Sequence, residues 1–150
     1  MDLGEKIIDS AKFYAELGEA NIKAFVIDQN WLKSEKEGTY DGLICSNVLD
    51  VLPIETTKEI IKELSRICKK NAKIIIGLNF YMAPEIAKQR GMELVEDKYL
   101  FVDNVLRLLS LSDDEWKELF LPYFEVDTLE YFAWPGEQKE TRRLFVLRKR

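Results

Sequence analysis

The first apolar residues of the chain are spaced as on one face of a helix. Leu3, Ile7, Ile8, Ala11, Tyr14, Ala15 and Leu17 recur in this way, and Gly18 follows as a stop. The spacing predicts a first helix over residues 4–17. Short unbroken apolar runs come next. Residues 23–28, 42–46 and 73–78 each read as a buried strand, the last containing Ile74-Ile75-Ile76. Between the second and third runs, Ile60, Ile61, Leu64, Ile67 and Cys68 form the apolar stripe of a long helix over residues 54–69. Glu55 and Glu59 lie in its early turns and Lys69-Lys70 at its end, which suits the helix dipole.

Residues 80–111 are apolar without a regular period, and short helices are expected over 84–89 and 102–109. Ser112 and Glu115 have the spacing of a capping box, and Trp116, Leu119 and Phe120 follow with helical spacing. Residues 124–133 and 141–149 read as two strands joined by a loop at Pro135-Gly136, a closing antiparallel hairpin. Alternation of strand and helix in the first part implies a parallel core, and the final pair implies an antiparallel edge. The expected fold is therefore α/β in three layers, with a mixed sheet of about five strands in one domain over residues 1–150.

Composition narrows the chemistry. The chain has 150 residues, long enough for a real core, and its net charge of −5 argues against a nucleic-acid partner. Its one basic concentration, Arg142, Arg143, Arg148, Lys149 and Arg150, reads as a solvated face at the end of the last strand. Histidine is absent, which excludes Ser-His-Asp and Cys-His nucleophile systems and His-ligated zinc, so no metal centre is expected. Cys45 and Cys68 lie in apolar surroundings without C-x-x-C spacing and read as reduced thiols of a cytoplasmic protein. Asp2 and Glu5 stand where a secretory leader would be basic, and no apolar run is long enough for a bilayer, so no membrane partner is expected.

The stretch with most chemical content is Tyr40-Asp41-Gly42-Leu43-Ile44-Cys45-Ser46-Asn47-Val48-Leu49-Asp50-Val51-Leu52-Pro53. A buried strand there delivers small polar side chains to its carboxyl end, where open α/β sheets bind ligands. The stretch resembles the fourth strand and following turn of the class I S-adenosylmethionine-dependent methyltransferases, F-D-x-[ILV]-x-x-[SC]-N-x-L-x-x-L. Further segments resemble that family in order. Asp2 to Ala11 resembles the segment after its second strand, Val26 to Gln29 the end of its third, and Leu64 to Ile76 the approach to its fifth, with Arg66 in pattern. Lys70-Asn71-Ala72 replaces the usual Pro-Gly-Gly, and Asn71 is expected in the left-handed conformation.

The resemblance implies S-adenosylmethionine as cofactor and a Rossmann-like sheet whose last strand, Arg142 to Leu147, is antiparallel. It places Asp2 on the ribose hydroxyls, Asp28 and Gln29 at the adenine, and Ser46, Asn47 and Leu49 against the methionine part. It makes residues 79–111 a substrate lid, with Asn79, Phe80, Tyr81, Met82 and Tyr99 facing a small-molecule acceptor.

One part has no counterpart. The family's [DE]-x-G-x-G-x-G turn is missing, and no G-x-G occurs among the seven glycines. The chain resembles the last two thirds of a methyltransferase. Two functions follow as expectations: a methyltransferase-like protein, weak or inactive as an isolated chain, or a non-catalytic interaction subunit. In either case association is expected, as a homodimer or with a separately encoded N-terminal half. Ile7, Ile8, Phe25, Ile27, Leu43 and Val48 are the apolar residues expected at the surface.

Overall fold

A computed structural model describes residues 3–25 and 28–150. The chain forms two compact units, Met1–Ser34 and Glu35–Arg150. The first unit holds helices α1 (Leu3–Leu17) and α2 (Gln29–Ser34). Helix α1 ends where Gly18 was expected to end it: the Gly18 N–H bonds the Tyr14 carbonyl at 3.0 Å, and the Ala20 N–H bonds that of Ala15 at 2.9 Å.

The strand expected at residues 23–28 is not formed at 23–25 or at Asp28, while 26 and 27 lie outside the described residues. A cap takes precedence over pairing there. Asp28 Oδ1 accepts the N–H groups of Asn30 and Trp31 at 2.9 and 3.0 Å, and this starts α2.

The second unit runs β1 (Tyr40–Ser46), a 3₁₀ turn (Leu49–Val51), α3 (Ile54–Ile67), β2 (Cys68–Leu78) and α4 (Pro84–Gln89). It continues through β3 (Tyr99–Val102), β4 (Val105–Leu109), α5 (Asp113–Phe120), β5 (Phe124–Phe132) and β6 (Arg142–Lys149). Among the described residues the main sheet has four strands in the order β1-β2-β6-β5. Strands β1 and β2 are parallel, as a crossover through α3 requires, and β6 is antiparallel to both its neighbours. The result is an α/β fold with a mixed sheet and an antiparallel last strand. The expected single sheet of about five strands is instead this four-stranded sheet and a separate β3–β4 pair.

That pair replaces the helix expected over 102–109. Asp103 and Asn104 both take positive φ, 51° and 60°, which is the backbone of a two-residue hairpin turn. The apolar run was legible but its turn was not recognised. Asn71 has φ 64°, a left-handed conformation open to asparagine, but it lies within β2 and not at a helix end, because α3 stops at Ile67 and Lys69-Lys70 belong to the strand.

One face of the sheet is dry. Ile74, Ile76 and Leu78 of β2 lie in register with Leu147, Phe145 and Arg143 of β6, and all six are buried. Phe120 of α5 meets Phe145 edge-on at 5.3 Å and stacks on Trp116 at 5.9 Å. The other face is less covered: Ile75 and Val146 are half-buried, and Ile44 on the edge strand is 74% exposed. A smaller apolar cluster of Met82, Ala87, Leu94 and Leu108 seats α4 against the segment carrying the β3–β4 hairpin.

Helix α5 carries the capping box expected of Ser112 and Glu115 in full: Ser112 Oγ accepts the Glu115 N–H, and the Glu115 carboxylate accepts the Ser112 N–H at 2.7 Å. Ser112→Ala is expected to lower stability by about 1 kcal/mol, read as an earlier urea midpoint with an unchanged slope. An unchanged midpoint would show that the box adds nothing.

Candidate functional site

The carboxyl ends of β1 and β2 lie side by side. Ser46 pairs with Gly77, and a Cβ on Gly77 would lie 2.7 Å from Ser46 Oγ, so glycine leaves room for the serine side chain as placed. The chain then turns at Asn47, which has φ 56° and donates its N–H to the Gly77 carbonyl at 3.0 Å. Asparagine tolerates this left-handed backbone better than most residues. The Ser46 and Asn47 side chains are exposed and make no hydrogen bond among the described residues.

Leu49 turns inward instead and is fully buried. Its carbonyl accepts the Thr57 hydroxyl at 2.8 Å, which ties the 3₁₀ turn to α3.

Next to it lies Asp50, a carboxylate with no solvent exposure. Its Oδ2 accepts the main-chain N–H of Asn79 at 2.5 Å. The Asn79 carbonyl in turn accepts Arg143 Nε at 3.0 Å, and its side-chain oxygen accepts Arg142 Nη1. Arg143 is 1% exposed, and its Nη1 also donates to the Leu111 carbonyl and to Asp113 Oδ1, at 2.7 and 3.2 Å. Asp50 Oδ1 and Arg143 Nη2 remain without a partner among the described residues.

Burial raises the Asp50 pKa, while the Asn79 hydrogen bonds and the Arg143 charge pull it back. Cys45 is pushed up to about 11, by burial first and the Asp50 charge second, so it is a neutral thiol at physiological pH.

The C-terminal basic cluster is therefore not a solvated face. Arg143 is a buried anchor, Arg142 forks onto Glu137 at 2.6 Å, and Arg148 reaches Glu125 at 2.6 Å. Lys149 donates to the Cys68 carbonyl at 2.7 Å.

Beyond Asn79 a cleft of about 520 Å³ opens between Tyr81 and Tyr131, with Ser112, Asp113, Asp114, Lys117, Glu140, Thr141 and Arg143 around it. Both phenols have raised pKa values. For Tyr81 burial leads, followed by the negative charges of Glu115 and Glu85. For Tyr131 the hydrogen bond to Asp113 leads, followed by burial and the Asp113 charge.

The residues expected to bind ligands thus fall into separate groups. Ser46, Asn47, Asn79 and Tyr81 sit at or just beyond the carboxyl ends of the two parallel strands. Tyr99 has a supporting role, its hydroxyl accepting the Ile54 N–H at 3.2 Å at the start of α3. Phe80 and Met82 belong to the smaller apolar cluster. Asp28 caps α2, Gln29 begins that helix, and Asp2 lies outside the described residues.

Asp50, Arg142 and Arg143 went unrecognised as neighbours of this site. A signal for Arg143 existed: it is in phase with Phe145 and Leu147, hence on the buried side of its strand. Asp50 stands alone within the apolar run Val48 to Leu52.

No family model matches the sequence, and no curated protein matches it. Solved structures do. A SAM-dependent methyltransferase from Methanosarcina mazei superposes with a TM-score of 0.71 at 14% identity, over 99% of this chain and 79% of its own. The fold is that of the SAM-dependent methyltransferases. The PH0226 protein from Pyrococcus horikoshii gives a TM-score of 0.69 at 18% identity, over 99% of this chain and 69% of its own. Magnesium protoporphyrin IX methyltransferase from Synechocystis, solved with SAM bound, gives 0.62 at 17% identity, over 99% and 57%. In the methyltransferase fold of this chain, Ser46, Asn47 and Asn79 occupy the carboxyl-end face of the sheet.

Asp50 carries a pH prediction. Its folded pKa is raised above the unfolded value near 3.8, so its contribution is complete below that value and is lost as pH rises through the folded pKa. Asp50→Asn keeps an acceptor for the Asn79 N–H and cannot ionise. Its stability relative to the parent chain should therefore grow as pH rises from about 4 through the folded pKa, measured by urea midpoints. A difference that stays flat across that range would refute the assignment.

Proposed function

We propose that this chain is a methyltransferase-like protein whose carboxyl-end face takes S-adenosylmethionine and a small-molecule acceptor, with low cofactor affinity when the chain is alone. The observation that carries this reading is the set of unspent polar groups of Ser46 and Asn47, beside Asn79, at the ends of the parallel strands of a methyltransferase fold. A sulfonium cofactor brings an already activated methyl group, so the protein's task is to position the acceptor.

The residues present fit that cofactor at one end only. Ser46 and Asn47 offer donors and acceptors for its amino-acid part. At the other end, both Asp28 oxygens have intrachain partners: Oδ1 caps α2 and Oδ2 receives Asn30 Nδ2 at 3.4 Å. The sequence has no G-x-G turn to cradle the remainder.

A second reading, that of an interaction subunit, is favoured by the open edge of the sheet. Strand β1 pairs on one side only among the described residues, Ile44 on it is 74% exposed, and Val48 in the turn that follows is 40% exposed. Such an edge invites another strand, from a second copy or from a chain carrying the glycine turn.

Calorimetric titration with S-adenosylmethionine and S-adenosylhomocysteine should show weak binding or none. A low-micromolar constant for the chain alone would overturn the low-affinity reading. Asn47→Ala should weaken any residual binding severalfold, and indifference would remove Asn47 from the site. Light scattering over a dilution series should show a dimer that dissociates on dilution, and a clean monomer at high micromolar concentration would rule out self-association.

A further inference from the structure

The geometry points to a cationic ligand, a small primary or secondary amine, in the cleft between Tyr81 and Tyr131. This deepens the reading of the carboxyl-end face as the acceptor face by naming the acceptor's chemical class: an amine held as its ammonium ion, which passes its proton to the Glu140 carboxylate or to water before its lone pair accepts the methyl group.

The cleft begins just past the end of β2. Tyr81 comes three residues after Leu78, and Tyr131 is in register with Arg143, which itself pairs with Leu78. The volume, about 520 Å³, lies within the range of small-molecule pockets. Two aromatic rings border it, 44% and 49% exposed, so their faces remain available. Aromatic faces attract ammonium groups.

The charges around the cleft do not favour an anion. Arg143 is spent on Asn79, Leu111 and Asp113, and Lys117 pairs with Asp114 at 3.3 Å. Asp113 accepts from both Arg143 and the Tyr131 hydroxyl. Glu140 alone among the lining charges has no partner among the described residues. The charge left uncompensated is therefore negative. Glu115 and Glu85 at Tyr81, and Asp113 at Tyr131, also act to raise the phenol pKa values, after burial and the Asp113 hydrogen bond respectively and against the charge of Arg143.

The test uses three probes of one shape: 2-phenylethylamine, 2-phenylethanol and phenylacetate. Binding to the full chain without cofactor is followed by ligand-observed NMR and by chemical-shift changes of cleft residues. The amine should bind most tightly and perturb residues around Tyr81 and Tyr131. Glu140→Gln, an exposed change, should weaken the amine about threefold to fivefold and leave the neutral alcohol unaffected. Tyr81→Leu should weaken it by a similar factor. Phenylacetate binding most tightly, or equal binding of all three, overturns the proposal, as does amine binding indifferent to Glu140→Gln. Because no cofactor is present, amine binding survives a failed S-adenosylmethionine titration, and a failed amine titration leaves the cofactor reading standing.

Discussion

The main chain of Asn79 holds the site together. Its N–H is held by the buried Asp50 carboxylate and its carbonyl by the buried Arg143 guanidinium. Three segments distant in sequence meet there: the turn after β1, the end of β2 and the start of β6. Charged partners make strong hydrogen bonds, and both groups are removed from water; Arg143 has Asp113 as its counter-charge, while burial favours the neutral form of Asp50. The carboxyl-end face, with Ser46 and Asn47 in front and Tyr81 beyond, takes its shape from this junction. The arrangement is specific because it is costly: a carboxylate and a guanidinium are kept dry with one atom each unpaired.

Much of the scaffold was legible where a local rule and the tertiary demand agreed. The capping box of Ser112, the left-handed Asn71 and the stop at Gly18 are single-residue preferences that packing did not override. The strands 42–46 and 73–78 were legible because unbroken apolar runs suit a buried parallel pair. Residues 23–28 carried a similar run, but Asp28 had a nearer use for its carboxylate in capping α2. The 102–109 helix was misread because Asp103-Asn104 is a hairpin turn without the glycine that usually marks one.

The site was legible only in part. Ser46 and Asn47 were visible as polar residues breaking an apolar run. Asp50 and Arg143 were not, because their importance comes from partners 29 and 64 residues away along the chain. Charge in a sequence is usually read as solvated surface, and here Arg143 is among the least exposed side chains. Its phase with Phe145 and Leu147 carried the information, while its residue type pointed the other way.

The strand order β1-β2-β6-β5 has a consequence for synthesis. The latest of the four in chain order, β6, is an interior strand. Until Arg142–Lys149 leaves the ribosome, β2 has a partner on one side only and β5 has none in the sheet. The Asn79 junction also waits for Arg142 and Arg143, so the nascent chain carries a buried-type carboxylate without its counter-charge. Closure of the sheet thus waits for β6, and until then its apolar edges are open to chaperones or to aggregation. Removal of β6 would split the sheet in its middle, which loss of an edge strand would not do.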